Sequence, residues 1–162
     1  MVGGQQWLCY FRRMNSSDFP DSFYRTVVKA LYVKDGKILF AKEAPHLADK
    51  WELPGGGLDF GEDPREGLTR EIKEELNLDV TSVSEHPVYV WMNRFEGCRD
   101  MDWYYSVVLA YRIELANLDF SPTEDMVELK FFSTDELREL GKNVYHQSRK
   151  LIEIFNPDDF PN

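Results

Sequence analysis

Cysteine is scarce in this 162-residue chain. Cys9 and Cys98 are the only two, so no disulfide framework can staple the fold, and two reduced thiols are the plain expectation. Long apolar runs are missing too. None approaches the roughly 20 residues that a membrane span needs, so no membrane association is expected. Near the start, Trp7 to Phe11 has apolar character, but Arg12 and Arg13 follow it instead of preceding it, which is not the order of a signal peptide. A cytoplasmic protein is the resulting expectation. Basic residues are the third shortage, with 19 Lys and Arg against 29 Asp and Glu and a net charge of −10. Such a surface repels a nucleic-acid backbone on average, so no stable nucleic-acid complex is expected. The acidic excess suits a protein that gathers divalent cations, and equally any acidic surface.

What is present describes one globular unit. Apolar residues make up 43% and aromatics 14%, which excludes a disordered chain. A chain of this length buries roughly 70% of its extended surface without staples. No internal repeat or low-complexity tract occurs. Residues 1–22 read as an N-terminal extension, with Gly3 and Gly4 near its start and a loop at Asn15 to Pro20. Its aromatics Trp7, Tyr10 and Phe11 need a surface to pack on, either the core or a second copy in a homodimer.

A regular pattern begins at Phe23. Arg25 to Val33 predicts a strand, Lys34-Asp35-Gly36-Lys37 a hairpin turn, and Ile38 to Lys42 the return strand. A looser stretch leads to a short strand at Trp51 to Leu53, which Pro54 and three glycines end. Asp63-Pro64-Arg65-Glu66 starts a helix, because Asp63 can cap it and Pro64 fits its first position. The helix runs to about Leu76, and Asn77 supplies a left-handed end. Strands are predicted at Val88–Met92, Tyr104–Ile113 and Leu129–Phe132, and helices at Thr134–Leu140 and Tyr145–Phe155. That order indicates an α+β domain, a mixed sheet layered between helices.

Projecting the central helix at 100° per residue puts Leu68, Ile72 and Leu76 within about 80° as a buried stripe. Glu71, Glu74 and Glu75 share the adjoining arc. Like charges at these spacings destabilise a helix by a few tenths of a kcal/mol per pair. Lys73 points elsewhere, and Arg70 is expected to reach only the edge of the cluster. A hard divalent cation would relieve the repulsion, and oxygen-only ligands suit magnesium or manganese; a solvated acidic face is the plainer alternative. Ahead of the helix, Gly55-Gly56-Gly57 lets backbone atoms approach a metal or a phosphate closely.

Taken together, the spacing is specific. Gly56, then Glu62, then Arg70-Glu71-Ile72-Lys73-Glu74-Glu75-Leu76-Asn77-Leu78 resembles the Nudix box, G-x5-E-x7-R-E-U-x-E-E-x-G-U with U apolar. Eight of the nine specified positions match, which chance supplies in about one sequence of this length per 100,000. The departure is Asn77 in place of glycine. The likeness covers about residues 23–140, and the chain is divided into the extension 1–22, a Nudix-like domain at 23–156 and a tail at 157–162.

The resemblance implies the Nudix fold and a hydrolase that cleaves the diphosphate linkage of a nucleoside diphosphate derivative, a nucleotide-sugar or a nucleoside triphosphate. It implies Mg2+, with Mn2+ as the alternative. Glu71, Glu74 and Glu75, with the Gly56 carbonyl and Glu124, are the implied metal-binding set. Glu71, Glu75, Arg70 and Glu62 are the catalytic set, the last two orienting the carboxylates. The general base is left among Glu71, Glu124, Asp125 and Glu128. Gly56, Gly57, Arg94 and Trp103 are the substrate-side candidates, with Trp91, Phe95, Tyr104 and Tyr105 as further rings able to stack on a base. A catalytically inactive metabolite-binding module is the alternative from another class.

Overall fold

The computed structural model describes residues 24–98 and 101–160, with the side chains at 95–98 and 101–103 left aside. Residues 1–22, Cys9 and the side chains of Cys98 and Trp103 therefore lie outside the described set.

Strand β1 (Tyr24–Leu31) is followed by the short β2 (Val33–Lys34) and β3 (Lys37–Glu43). The turn between β2 and β3 carries positive φ at both Asp35 (50°) and Gly36 (70°), the mirror-image turn that the Asp-Gly pair favours. The predicted hairpin is otherwise split. Only β2 pairs with β3, while β1 joins a different sheet and runs parallel to the late strand β7 (Met101–Leu115) from Tyr24↔Tyr105 to Leu31↔Arg112. Alternating residues cannot tell which strand will supply the partner, and here a strand some 80 residues away takes it.

Each sheet has four strands. In the first, β7 carries β1 on one edge, with β5 (Val80–Val83) and β6 (Tyr89–Cys98) antiparallel along the other. In the second, β3 is central. It pairs with β8 (Met126–Phe132) on one side and with β2 and β4 (Trp51–Glu52) on the other. Strand β5 had no counterpart in the sequence reading, because Val-Thr-Ser-Val is too short and too polar to declare itself.

Helix α1 (Pro64–Leu76) begins where predicted. The Asp63 carboxylate accepts from the N–H groups of Arg65 at 2.9 Å and Glu66 at 3.4 Å. It ends on Asn77 in the left-handed conformation (φ 53°, ψ 26°). Leu68, Ile72 and Leu76 are fully buried under it against Val28, Ala30, Leu39 and Ala41, each burial contributing about 1.5–3 kcal/mol. Helices α2 (Thr134–Leu140) and α3 (His146–Ile154) cover a second core built on Val27, Leu31, Phe40, Trp51, Val108 and Phe132. The chain is thus an α+β domain with helices on both sides of its strands. Beyond α3, Pro157–Asp159 form a tight turn, and Phe160 is buried in the second core, because an aromatic ring gains more from that core than from water.

Candidate active site

The glycine turn owes its shape to β1. Pro54 O accepts from Ala30 N and Gly56 O from Val28 N, both at 2.9 Å, and Leu58 N donates to Thr26 O at 3.2 Å. The turn is therefore laid along the strand's free edge and cannot wander. Gly55 has φ of 115°, and a Cβ there would stand 2.4 Å from Val28 O, so only glycine fits. At Gly56 a Cβ would lie 2.4 Å from the Glu71 carboxylate. The missing side chain is what lets α1 bring that carboxylate against the turn.

Glu75, one helical turn further on, accepts from the Gly55 N–H at 2.9 Å. Burial raises the carboxyl pKa of both Glu71 and Glu75 above the ordinary range, against the pull of Lys29 and, for Glu71, of Arg70. The sequence reading held that Arg70 could reach only the edge of this cluster, and the structure corrects it. The Arg70 guanidinium spans Glu71 at 2.8 Å, Glu74 at 3.1 Å and Glu62 at 2.8 and 2.9 Å. A wheel projection treats side chains as radial, whereas arginine's long stem lies along the helix surface. Lys73 stays out of the cluster and pairs with Asp79.

These groups open onto a cleft of about 440 Å3. Seven carboxylates line it (Glu43, Glu52, Asp59, Glu71, Glu74, Glu75 and Asp125) against three basic groups, Arg25, Lys29 and Arg70. Lys29 is buried and donates to Glu52 Oε2 at 3.1 Å and to the Gly55 carbonyl. It thereby holds the carbonyl of the same residue whose N–H meets Glu75. Arg25 reaches the cleft from β1, with its guanidinium against Gly57. Among the described residues, no three His, Cys, Asp or Glu side chains converge as a ready metal cage, and Arg70 bridges Glu71 and Glu74. The donor chemistry nonetheless fits a hard cation. All the donors are oxygens, and burial holds two of the carboxyls above the ordinary carboxylate range.

The structure sorts the remaining sequence candidates. Gly56, Gly57, Glu62, Arg70, Glu71, Glu74 and Glu75 are brought together. Glu124 is exposed and absent from the cleft lining; its neighbour Asp125 lines it instead. The Thr123 hydroxyl donates to the Glu75 carbonyl at 2.9 Å, and Ala44 N donates to Asp125 O at 2.7 Å. Both contacts seat this loop on the cleft wall in that register. Arg94 is exposed on β6 and does not line the cleft, and Glu128 faces outward on β8. Trp91 is a core residue whose indole N–H donates to the Gln147 carbonyl, so of the proposed stacking rings Tyr104 alone lines the cleft among the described side chains. Sequence reasoning missed Arg25, Lys29, Glu43, Glu52, Tyr145 and Gln147. One signal was available: Lys29 interrupts the apolar run Val27-Val28-Lys29-Ala30-Leu31, and a buried lysine needs a partner.

Comparison with known proteins agrees with this geometry. A model of the NUDIX domain matches residues 23–154. Nudix hydrolase 26, chloroplastic, of Arabidopsis thaliana is 31% identical over 80 residues, 49% of this chain and 37% of that one. Putative 8-oxo-dGTP diphosphatase 2 of Mycobacterium tuberculosis is 42% identical over 60 residues, 36% of this chain and 43% of that one. These matches thus span only about two fifths of the relatives' length. Among solved structures, a UDP-X diphosphatase superposes with a TM-score of 0.57 at 25% identity, covering 85% of this chain and 65% of that one.

Proposed function

Because this chain belongs to the NUDIX domain family, we propose that it is a Mg2+-dependent hydrolase, with Mn2+ as an alternative, that cleaves the diphosphate linkage of a nucleotide-sugar or nucleoside triphosphate by attack of water at phosphorus. The observation that carries the reading is the meeting of Glu71 and Glu75 with the glycine turn in a cleft that holds four more carboxylates than basic groups. A diphosphate would be repelled from such a surface unless cations accompany it. Bound there, a divalent cation neutralises phosphate oxygens and lowers the pKa of a coordinated water.

The chain's own groups do the rest. Glu71, Glu74 and Glu75 supply oxygens, with the second lone pair of the Gly56 carbonyl beside them. Glu62 and Arg70 set the carboxylates' orientation through the contacts at 2.8–3.1 Å. Arg25 presents a fixed positive charge to a phosphate oxygen. In this reading Glu71 or Asp125 takes a proton from water, and Tyr104 and Gly57, which line the cleft, face the substrate. The names of the relatives span an oxidised nucleoside triphosphate and a UDP derivative, and both classes belong in the test.

A screen of nucleotide-sugars, deoxynucleoside triphosphates and dinucleotides, with and without MgCl2, should show metal-dependent monophosphate or diphosphate release. Glu75→Gln should lower turnover by about 1,000-fold or more, the scale at which removing a charge-stabilising group acts, while circular dichroism shows the fold retained. Inactivity across the panel together with retained ligand binding would leave the metabolite-binding module. The proposal includes a cytoplasmic setting, read by fractionation. It also includes a homodimer built through residues 1–22, for which light scattering should show a dimer only when those residues are present.

A further inference from the structure

Four of the seven cleft carboxylates, Glu43, Glu52, Asp59 and Asp125, lie outside the box, and Glu43 stands apart among them. Glu43 closes β3, comes from a different sheet than the helix and is 1% exposed. Its Oε2 is buried with no hydrogen-bond partner, yet the residue lines the cleft. An ionised oxygen left in that state costs several kcal/mol unless something cationic meets it. The basic group nearest in kind, Lys29, is already committed to Glu52 and the Gly55 carbonyl. The Lys29–Glu52 pair is a charged neighbour of both Glu43 and Glu75. Three carboxylates thus gather around one buried ammonium, with Lys50 the further cation near Glu43, and a divalent cation would relieve the crowding of acids.

We propose that Glu43 supplies a further carboxylate ligand to a divalent cation in this cleft, entering from β3 instead of from the box helix. The inference rests on the cleft being a cation site, and the experiment separates the two. Backbone geometry makes the role available: Glu43 N donates to Lys50 O at 2.8 Å, and the pairing of β3 with β8 shifts register between Lys42 and Glu43. The strand end is thereby turned toward Asp125 and the cleft.

The test is MnCl2 titration of the full chain, followed by calorimetry and by the electron paramagnetic resonance of free Mn2+, on wild type, Glu43→Gln and Glu75→Gln. The proposal expects Glu43→Gln to weaken Mn2+ binding by about tenfold or more. It also expects the metal-free melting temperature to be unchanged or higher, because a neutral amide replaces an unpartnered carboxylate. Glu43→Asp, which keeps the charge but shortens the reach, should fall between. Wild-type affinity in Glu43→Gln with weakened binding in Glu75→Gln would overturn the role of Glu43 and leave the box reading standing. Absence of Mn2+ binding in wild type would overturn both. A Glu43→Gln protein that melts below wild type without metal, and still gains the full metal-induced rise, would make Glu43 a structural residue and overturn the proposal.

Discussion

Single atoms decide much of this site. At Gly55 a methyl group would meet Val28 O at 2.4 Å in a conformation with φ of 115°. Gly55→Ala must either twist the turn or detach it from β1. We expect a loss of about 2–3 kcal/mol in a denaturant melt, the scale of a strained backbone combined with a lost contact, together with loss of the hydrogen bond from this N–H to Glu75. A second residue-scale outcome concerns Glu62. Its hydrogen bonds with Arg70 hold its carboxyl below the ordinary value of 4.5. A depressed folded-state pKa contributes stability that is present above the unfolded value and is lost as pH falls through the folded one. The wild-type melting temperature should therefore fall more steeply than that of Glu62→Gln as pH drops below about 4.5. Parallel curves would show that the pair adds nothing to the fold.

Helix α1 shows how an element turns sequence into placement. Its cap, its Pro64 start and its buried stripe were all legible, because capping and periodicity are local properties of the chain. Its end was legible as well, and Asn77 adopts φ of 53°. Glycine has no Cβ cost there, and asparagine tolerates the conformation better than other residues. Asn77→Gly should be neutral or slightly stabilising, whereas Asn77→Ala should cost about 1 kcal/mol; chemical denaturation of the two variants checks both signs. The part of α1 that sequence misjudged was Arg70. Its position on a wheel is a backbone property, but its contacts follow the conformation of a long side chain, and that conformation is set by Glu62 arriving from the preceding loop.

At the scale of the molecule, the arrangement concentrates charge. Strands β3 and β4 of one sheet, the loop after the glycine turn, α1 and the loop before β8 bring seven carboxylates to one cleft, while three basic groups, two from β1 and one from α1, answer them. A cation that binds this folded arrangement and not the unfolded chain must stabilise it by mass action. Millimolar MgCl2 should raise the melting temperature, and the rise should shrink in Glu75→Gln. An unchanged melting curve at that concentration would argue against a native cation site. No helix among the described residues is long and apolar enough to cross a membrane, in line with the lack of long apolar runs.

The sequence alone determined what depends on neighbours along the chain. It placed the Asp35-Gly36 turn, helix α1 with both its ends, the span of α2, and the row of glutamates whose spacing marks the family. Tertiary structure decided which distant groups meet that row. β1 pairs with β7 instead of closing a hairpin, Lys29 is carried under the glycine turn, Glu43 reaches the cleft from the other sheet, and Asp125 stands where Glu124 was expected. The physical reason is that hydrogen-bonding periodicity repeats within a few residues and can be read from them. The choice of partner strand, and the one-residue register that points a side chain into a cleft or out to solvent, depends on which distant surfaces pack.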